Sequence, residues 1–344
     1  MSDLLPPTSQ PDPAVQPVPS AHPIHTRNLS MRFGRDLVLD DLSLSIPRGA
    51  IYALVGPNGA GKTTLIKLLL NIFRPTSGTA TILGQPSTSI TGKALTQIAY
   101  VSENQELPEW MTVDQLLRYL RPFYPQWDLT LEQQLIAQFD LPVDRRLKHL
   151  SRGQRMKAAL LSVLPYRPSL IVLDEPFSGL DPLVRDELAE GLLDRAAQGG
   201  TDAPTILVSS HDLAEIETLA THIGFLDRGR LLFSEESSTL TNRFREVVVT
   251  LGLAPGQLPP RDPSAFPSSW LLPELSPSVL HFIHAQADTE PVEEQVRRIF
   301  PNALAVDLEP LSLRAIFLAL AKSARSQTNY QTSPPEASSP RSRA

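Results

Sequence analysis

A chain of 344 residues with 41% hydrophobic and 20% charged side chains can bury one large core or two modest ones, and is neither fibrous nor disordered throughout. A formal net charge of −6, from 31 basic against 37 acidic residues, gives no electrostatic footprint for nucleic acid, so a DNA or RNA partner is disfavoured. The lack of cysteine excludes disulfides and thiolate metal sites, and no stretch reaches the roughly 20 apolar residues that a membrane-spanning helix needs.

In chain order, residues 1–23 hold seven prolines and few groups that could pack, and read as an extended, disordered arm. That start is acidic and broken by proline where an export signal would be basic and then apolar. From Ile24 to Phe244, short apolar runs alternate with helical patterns: IYALV (51–55), IAYV (98–101), LIVLD (170–174), TILVSS (205–210) and IGFLD (223–227). Continuous apolar strands separated by helices imply a buried, mostly parallel sheet with helices on both faces. One helix is expected over Thr64–Phe73. Another follows Asp181-Pro182, its stripe Leu188, Leu192, Leu193 and Ala196 ending at Gly199-Gly200. From residue 245 to 322 the texture changes to EVVVTL, a Pro-rich loop, VLHFIHA, a helix over Val292–Phe300, ALAVDLE and a last helix LRAIFLALAK, which predicts a small accessory α+β domain. His281 and His284 lie three apart on a strand and so point to opposite faces, which argues against a metal pair. Residues 323–344 read as a second disordered end.

The chemistry concentrates at GPNGAGKTT, directly behind IYALV: Gly56, Pro57, Asn58, Gly59, Ala60, Gly61, Lys62, Thr63 and Thr64. With a strand before it and a helix after it, the run fits G-x-x-x-x-G-K-[ST] in the context that makes this pattern a phosphate loop. The glycines let successive N–H groups turn inward towards phosphate oxygens, and the helix N-terminus adds partial positive charge. Lys62 is placed for the β- and γ-phosphates and the Thr63 hydroxyl for Mg²⁺. A second element is LIVLDEP (170–176), an apolar strand ending in two carboxylates: Asp174 suits the Mg²⁺ site, and Glu175 can polarise an attacking water. A third is LSRGQRMKAALL (150–161), where Ser151, Gly153 and Gln154 open a helix whose free N–H groups make another anion site. One nucleotide has only one γ-phosphate, and the phosphate loop already cradles it.

These motifs together resemble the ATP-binding subunits of ATP-binding cassette (ABC) transporters, with LSRGQ similar to the signature motif and Arg152 where glycine is commonest. The resemblance covers residues 24 to about 240. It implies a P-loop α/β fold with a RecA-like, mostly parallel core, an antiparallel β subdomain and a helical subdomain over about 104–160. It also implies that the signature helix of one subunit caps the nucleotide held by the phosphate loop of another, a homodimer or a pair with a paralogue. By the same resemblance Phe33 stacks on adenine, Asp181 in FSGLDP (177–182) sits across the dimer seam, and His211 is the switch histidine that contacts the γ-phosphate. Where the family has a glutamine that ligates Mg²⁺, this chain has Glu103, with Gln105 two residues on; Glu103 is the expected occupant, beside Thr63 and Asp174.

ATP and Mg²⁺ are thus the implied ligands, and an integral-membrane permease the implied partner, reached from the cytoplasmic face through the helical subdomain. Residues 100–127 are dense in aromatics, namely Tyr100, Trp110, Tyr119, Phe123, Tyr124 and Trp127, which either anchor an interface or build that subdomain's own core. EWMTVDQLLRYLRPFYPQWD looks most like cassettes of two-component exporters of drugs, antibiotics or lipid-like molecules. The rival readings are a soluble ATPase of the same family acting on nucleic acid or the ribosome, and a silent regulatory cassette. The first lacks a second cassette, a coiled-coil insertion or a basic patch, the second is opposed by intact Lys62, Asp174, Glu175 and His211, and no N-K-x-D element supports a GTPase.

Overall fold

The computed structural model describes residues 21–198, 200, 203–252, 266–289 and 291–332; the expected arm up to residue 20 and the tail beyond Thr332 lie outside them. Contacts divide the chain into two compact units, one formed by the chain to Ser209 with Phe225–Leu232, the other by Ser210–Gly224 with the chain from Phe233 onward.

In the first unit, β1 (Ile24–Phe33) and β2 (Asp36–Ile46) pair antiparallel, Ile24 facing Ile46 and Phe33 facing Asp36. Burial alternates along the second half of β2, as in a sheet with one face in the core. The chain then enters β3 (Ile51–Val55) and α1 (Lys62–Leu69), and returns through β4 (Ser77–Ile82) and the short β5 (Gln85–Pro86) to complete an antiparallel sheet in the order β2-β1-β4-β5. Helix α1 starts two residues before the expected Thr64 because Gly61 takes the cap position. It stops short of Phe73 because Asn71 turns left-handed, with φ of 58°.

A single turn, α2 (Gly92–Leu95), leads into β6 (Ile98–Ser102). The helical region follows as α3 (Val113–Leu120), α4 (Leu129–Gln138) and α5 (Arg152–Leu161). Thr112 caps α3 in a reciprocal box with Gln115, and Asp128 caps α4 by accepting the Leu131 N–H at 2.9 Å. That N–H and then the Arg167 guanidinium hold the Asp128 carboxyl below the usual carboxylate range. Between these helices the buried Glu132 accepts hydrogen bonds from Arg121 at 2.6 Å and from the Trp127 indole at 2.7 Å, so its charge is paired where desolvation would otherwise be costly.

The main sheet is built from β3, β6, β7 (Leu170–Asp174), β8 (Thr205–Ser210), β9 (His222–Asp227) and β10 (Arg230–Glu236) in the order β10-β9-β3-β8-β7-β6, with α6 (Pro182–Gln198) between β7 and β8. Strands β6, β7 and β8 run parallel, and every residue of β3, β7 and β8 is buried, as expected of strands covered on both faces. Leu54, Leu65, Leu68, Leu170, Val172 and Leu207 form part of one core cluster. In α6, Leu188 and Leu192 are fully buried as the stripe predicts, whereas Leu193 turns outward.

The second unit contains α7 (Ser237–Arg243), β11 (Arg245–Leu251), β12 (Trp270–Leu275), β13 (Val279–His284), α8 (Val292–Ile299), β14 (Ala303–Pro310) and α9 (Leu313–Thr332). Its antiparallel sheet runs β12-β13-β11-β14 over a core that includes Val247, Leu280, Phe282, Val296 and Phe300, with Trp270 stacked on Phe282 at 3.9 Å. Along β13 the two histidines do face opposite ways: His284 is fully buried and bonds Gln295, while His281 meets Glu246 at 2.6 Å. The contacts draw the unit boundary earlier than Phe244, because residues 213–224 are tied into this unit. Ser237 N donates to Thr221 O at 2.9 Å, and the first N–H of α9, at Leu313, donates to Glu217 at 3.2 Å. Helix α9 also continues to Thr332, ten residues past the expected order–disorder boundary at Ser323. SARSQTNYQT contains neither glycine nor proline, so nothing in it stops a helix before Pro334.

Candidate functional site: a phosphate loop beside two strand-end carboxylates

The site grows from the sheet register. Ser102 on β6 faces Asp174 on β7, and Asp174 faces Ser209 on β8, so three polar residues stand in a row where the parallel strands end, the edge at which ligands of such sheets collect. β3 ends nearby in the phosphate loop. Gly61 caps α1 with φ of 109°, and a Cβ there would lie 2.7 Å from Leu39; a Cβ on Gly56 would lie 2.1 Å from the Leu226 carbonyl oxygen. Only glycine fits either place.

Lys62 is 5% exposed and its ammonium donates to Gly56 O at 2.6 Å and Pro57 O at 3.3 Å, with Glu175 Oε1 at 3.1 Å. Asp174, equally buried, accepts from the Thr63 hydroxyl at 3.1 Å and from the Ser209 hydroxyl at 2.6 Å. Ser209 in turn accepts the Glu175 N–H at 3.0 Å, pinning a residue whose φ of 53° lies in the left-handed region. Loop, metal-type ligands and candidate base are therefore held by a single chain of contacts. Glu103 joins it through its N–H, which donates to Asp174 O at 2.8 Å.

A cavity of about 230 Å³ is lined by Thr63, Lys67, Tyr100, Glu103, Asp174 and Glu175, among others. Burial, and then the Asp174 charge, push the Tyr100 phenol up, so it remains a protonated donor on that wall. Gln105 is committed elsewhere: its side-chain oxygen accepts the Ser102 N–H at 3.2 Å.

Ser151 and Gln154 form a reciprocal capping box at the start of α5, each backbone N–H bonded to the other's side chain at 3.2 Å. Gly153 is small for a packing reason that spacing did not disclose: a Cβ would lie 2.9 Å from Val184 at the start of α6. Asp181 caps α6 by accepting the Val184 N–H at 3.1 Å. Phe33, at the end of β1, is 43% exposed and meets Phe73 edge-on at 5.3 Å, so it is no part of the core. His211 follows β8 directly and is exposed, at the point where the chain passes into the second unit.

Ser209 escaped the sequence reading. The polar pair that ends TILVSS was its only signal, and its role depends on pairing with β7. Ser209→Ala removes a hydroxyl that serves both carboxylate residues and should lower ATP turnover by about tenfold, the loss of one hydrogen bond to a charged group. ATP affinity should hold within about twofold. Steady-state phosphate release and equilibrium binding check the two parts.

A phosphate loop beside a strand-end Asp-Glu pair on one sheet, with a capped helix start at Ser151, defines a nucleotide-hydrolysing P-loop cassette. The comparisons agree. The model of the ABC transporter family matches residues 39–178. The chain is 34% identical over 208 residues to the ABC transporter ATP-binding protein YtrB of Bacillus subtilis, covering 60% of this chain and 70% of that one. It is 35% identical over 216 residues to the Nod factor export ATP-binding protein I of Burkholderia orbicola, covering 61% and 70%. Among solved structures, the ATP-binding subunit of an ABC transporter superposes with a TM-score of 0.57 at 28% identity, covering 63% of this chain and 91% of the other. The chain belongs to the ABC transporter family as an ATP-binding cassette that hydrolyses ATP to drive transport. Among the described residues no helix is long and apolar enough to cross a membrane.

Proposed function

We propose that this chain energises a two-component exporter from the cytoplasmic face of a membrane, as one of two cassettes that close head-to-tail around two ATP. The observation that carries this reading is the contact network that joins Lys62, Thr63, Asp174 and Glu175, supported by the capped helix start at Ser151, on another helix of the same chain, that we assign to a partner's nucleotide. The loop N–H groups and Lys62 hold the phosphates, the ammonium exchanging Glu175 for phosphate oxygens. Phe33 offers its exposed ring to adenine. Thr63, Asp174 and Glu103 are hard oxygen donors that suit Mg²⁺, which when bound neutralises charge on the phosphate oxygens. Glu175, relieved of Lys62, takes the proton of the attacking water, and His211 orients the terminal phosphate. Ser151, Gly153 and Gln154 cap the partner's nucleotide, with Asp181 at the seam.

The permease surface is the helical region, where Trp110, Tyr119 and Phe123 are 69%, 55% and 59% exposed. Tyr119 and Phe123 lie 5.5 Å apart ring to ring, while Tyr124 and Trp127 pack inward. The relative named a Nod factor export ATP-binding protein supports export as the direction of transport; the drug, antibiotic or lipid-like class of cargo comes from the resemblance of the helical region.

Cross-complementation tests the composite site. Lys62→Ala and Ser151→Glu chains should each be inactive. Mixed, they form a dimer with one intact site, and roughly a quarter or more of normal turnover should return. No recovery on mixing, or full turnover by a chain kept monomeric, would sink the head-to-tail reading.

A further inference from the structure

We propose that Arg152 is a positioning residue: it tethers the Glu103 carboxylate to the start of the signature helix and offsets its charge beside the bound phosphates. Arg152 Nη2 donates to Glu103 Oε1 at 2.8 Å, and the Ser178 hydroxyl donates to the same oxygen at 2.9 Å. One carboxylate thus ties together three separate segments, the loop after β6, the N-terminus of α5 and the loop after β7. The guanidinium lies across Gly179, whose φ is 65° and where a Cβ would sit 2.6 Å from Nη1. Glycine makes the seat for the arginine.

Glu103 also stands between two spaces. One is the 230 Å³ cavity shared with Thr63, Asp174 and Glu175; the other is a cleft of about 760 Å³ lined by Glu106, Glu109, Arg152 and Arg155 among others. Its backbone is held by Asp174, so the contacts with Arg152 and Ser178 decide where its carboxylate lies between the two spaces. Three carboxylates next to a polyphosphate are an electrostatic burden that a glutamine at position 103 would not impose. Arg152 removes that burden. Glutamic acid at 103 and arginine at 152, each a departure from the residue the resemblance leads one to expect, therefore form one complementary pair.

Because Arg152 is 53% exposed and Glu103 36% exposed, the pair is screened by solvent and easily opened. It tunes the site rather than propping up the fold. The proposal rests on the reading that phosphates bind at Lys62, next to this cavity.

A double-mutant cycle tests it, read as affinity of the full-length chain for the fluorescent analogue mant-ATP in EDTA, where neither hydrolysis nor metal ligation contributes. Arg152→Gln should weaken binding by about fivefold, the effect of one neighbouring, solvent-screened charge left without its counter-ion, and Arg152→Lys should restore most of it. Adding Glu103→Gln to Arg152→Gln should return affinity to within about twofold of wild type, and the Arg152→Gln defect should shrink in 0.5–1 M salt, as roughly expected for a screened charge. Wild-type melting temperatures in all variants would confirm folding. Additive effects, or an Arg152→Gln defect that Glu103→Gln leaves in place, would overturn the tether. Unchanged binding in Lys62→Ala would instead overturn the phosphate reading, and the tether with it.

Discussion

Glutamine in place of Glu175 should lower steady-state ATP turnover by about 10²- to 10⁴-fold, the span for removing a positioned general base, while ATP binding survives. The backbone of residue 175 is anchored by its N–H on Ser209, independent of the side chain, so an amide of the same shape keeps the geometry and loses only the capacity to accept a proton. The substitution also takes a carboxylate away from the Lys62 ammonium, 3.1 Å distant, leaving that ammonium for phosphate. Binding should therefore be equal or tighter, and a nucleotide that is held but not split should accumulate the ATP-bound dimer. Single-turnover phosphate release, equilibrium nucleotide binding and light scattering read the three consequences. Undiminished hydrolysis would mean that another group is the base.

Lys62→Ala should act earlier, on binding itself, and weaken ATP affinity by about 10²-fold or more, or roughly 3 kcal/mol for a buried charged hydrogen-bond donor lost from its anion. The site loses its buried cation, and the Glu175 carboxylate, 12% exposed, loses the ammonium 3.1 Å away that offsets its charge beside incoming phosphates. Titration calorimetry with ATP measures the loss, and a constant within about threefold of wild type would show that the lysine does not reach the phosphates. The two substitutions thus separate cleanly, one in the rate and the other in the affinity.

Much of the site was legible before any coordinates. GPNGAGKTT behind IYALV, the buried run LIVLD with its two acids, and TILVSS are local signals: composition, flanking elements and continuous apolar burial lie within a few residues of one another. Helix ends were less legible, since α1 begins where Gly61 adopts a left-handed backbone and ends where Asn71 does, and α9 runs on to Thr332 for want of a breaker. Strand β12, which contains a proline at position 273, gave no clear signal, and it exists because Trp270 packs onto Phe282 of its neighbour.

The amino-acid order by itself determined the class of chemistry, because phosphate binding needs a particular run of contiguous backbone N–H groups and one lysine. Tertiary structure alone decided which side chains far apart in the chain share an oxygen. Ser209 serves Asp174 because β7 and β8 pair in register, and Arg152 finds Glu103, 49 residues away, because the packing that seats α5 also brings the glycine loop beneath the guanidinium. Hydrogen bonds have a reach of about 3 Å and no memory of sequence distance, so such pairs come into being only with the packed fold.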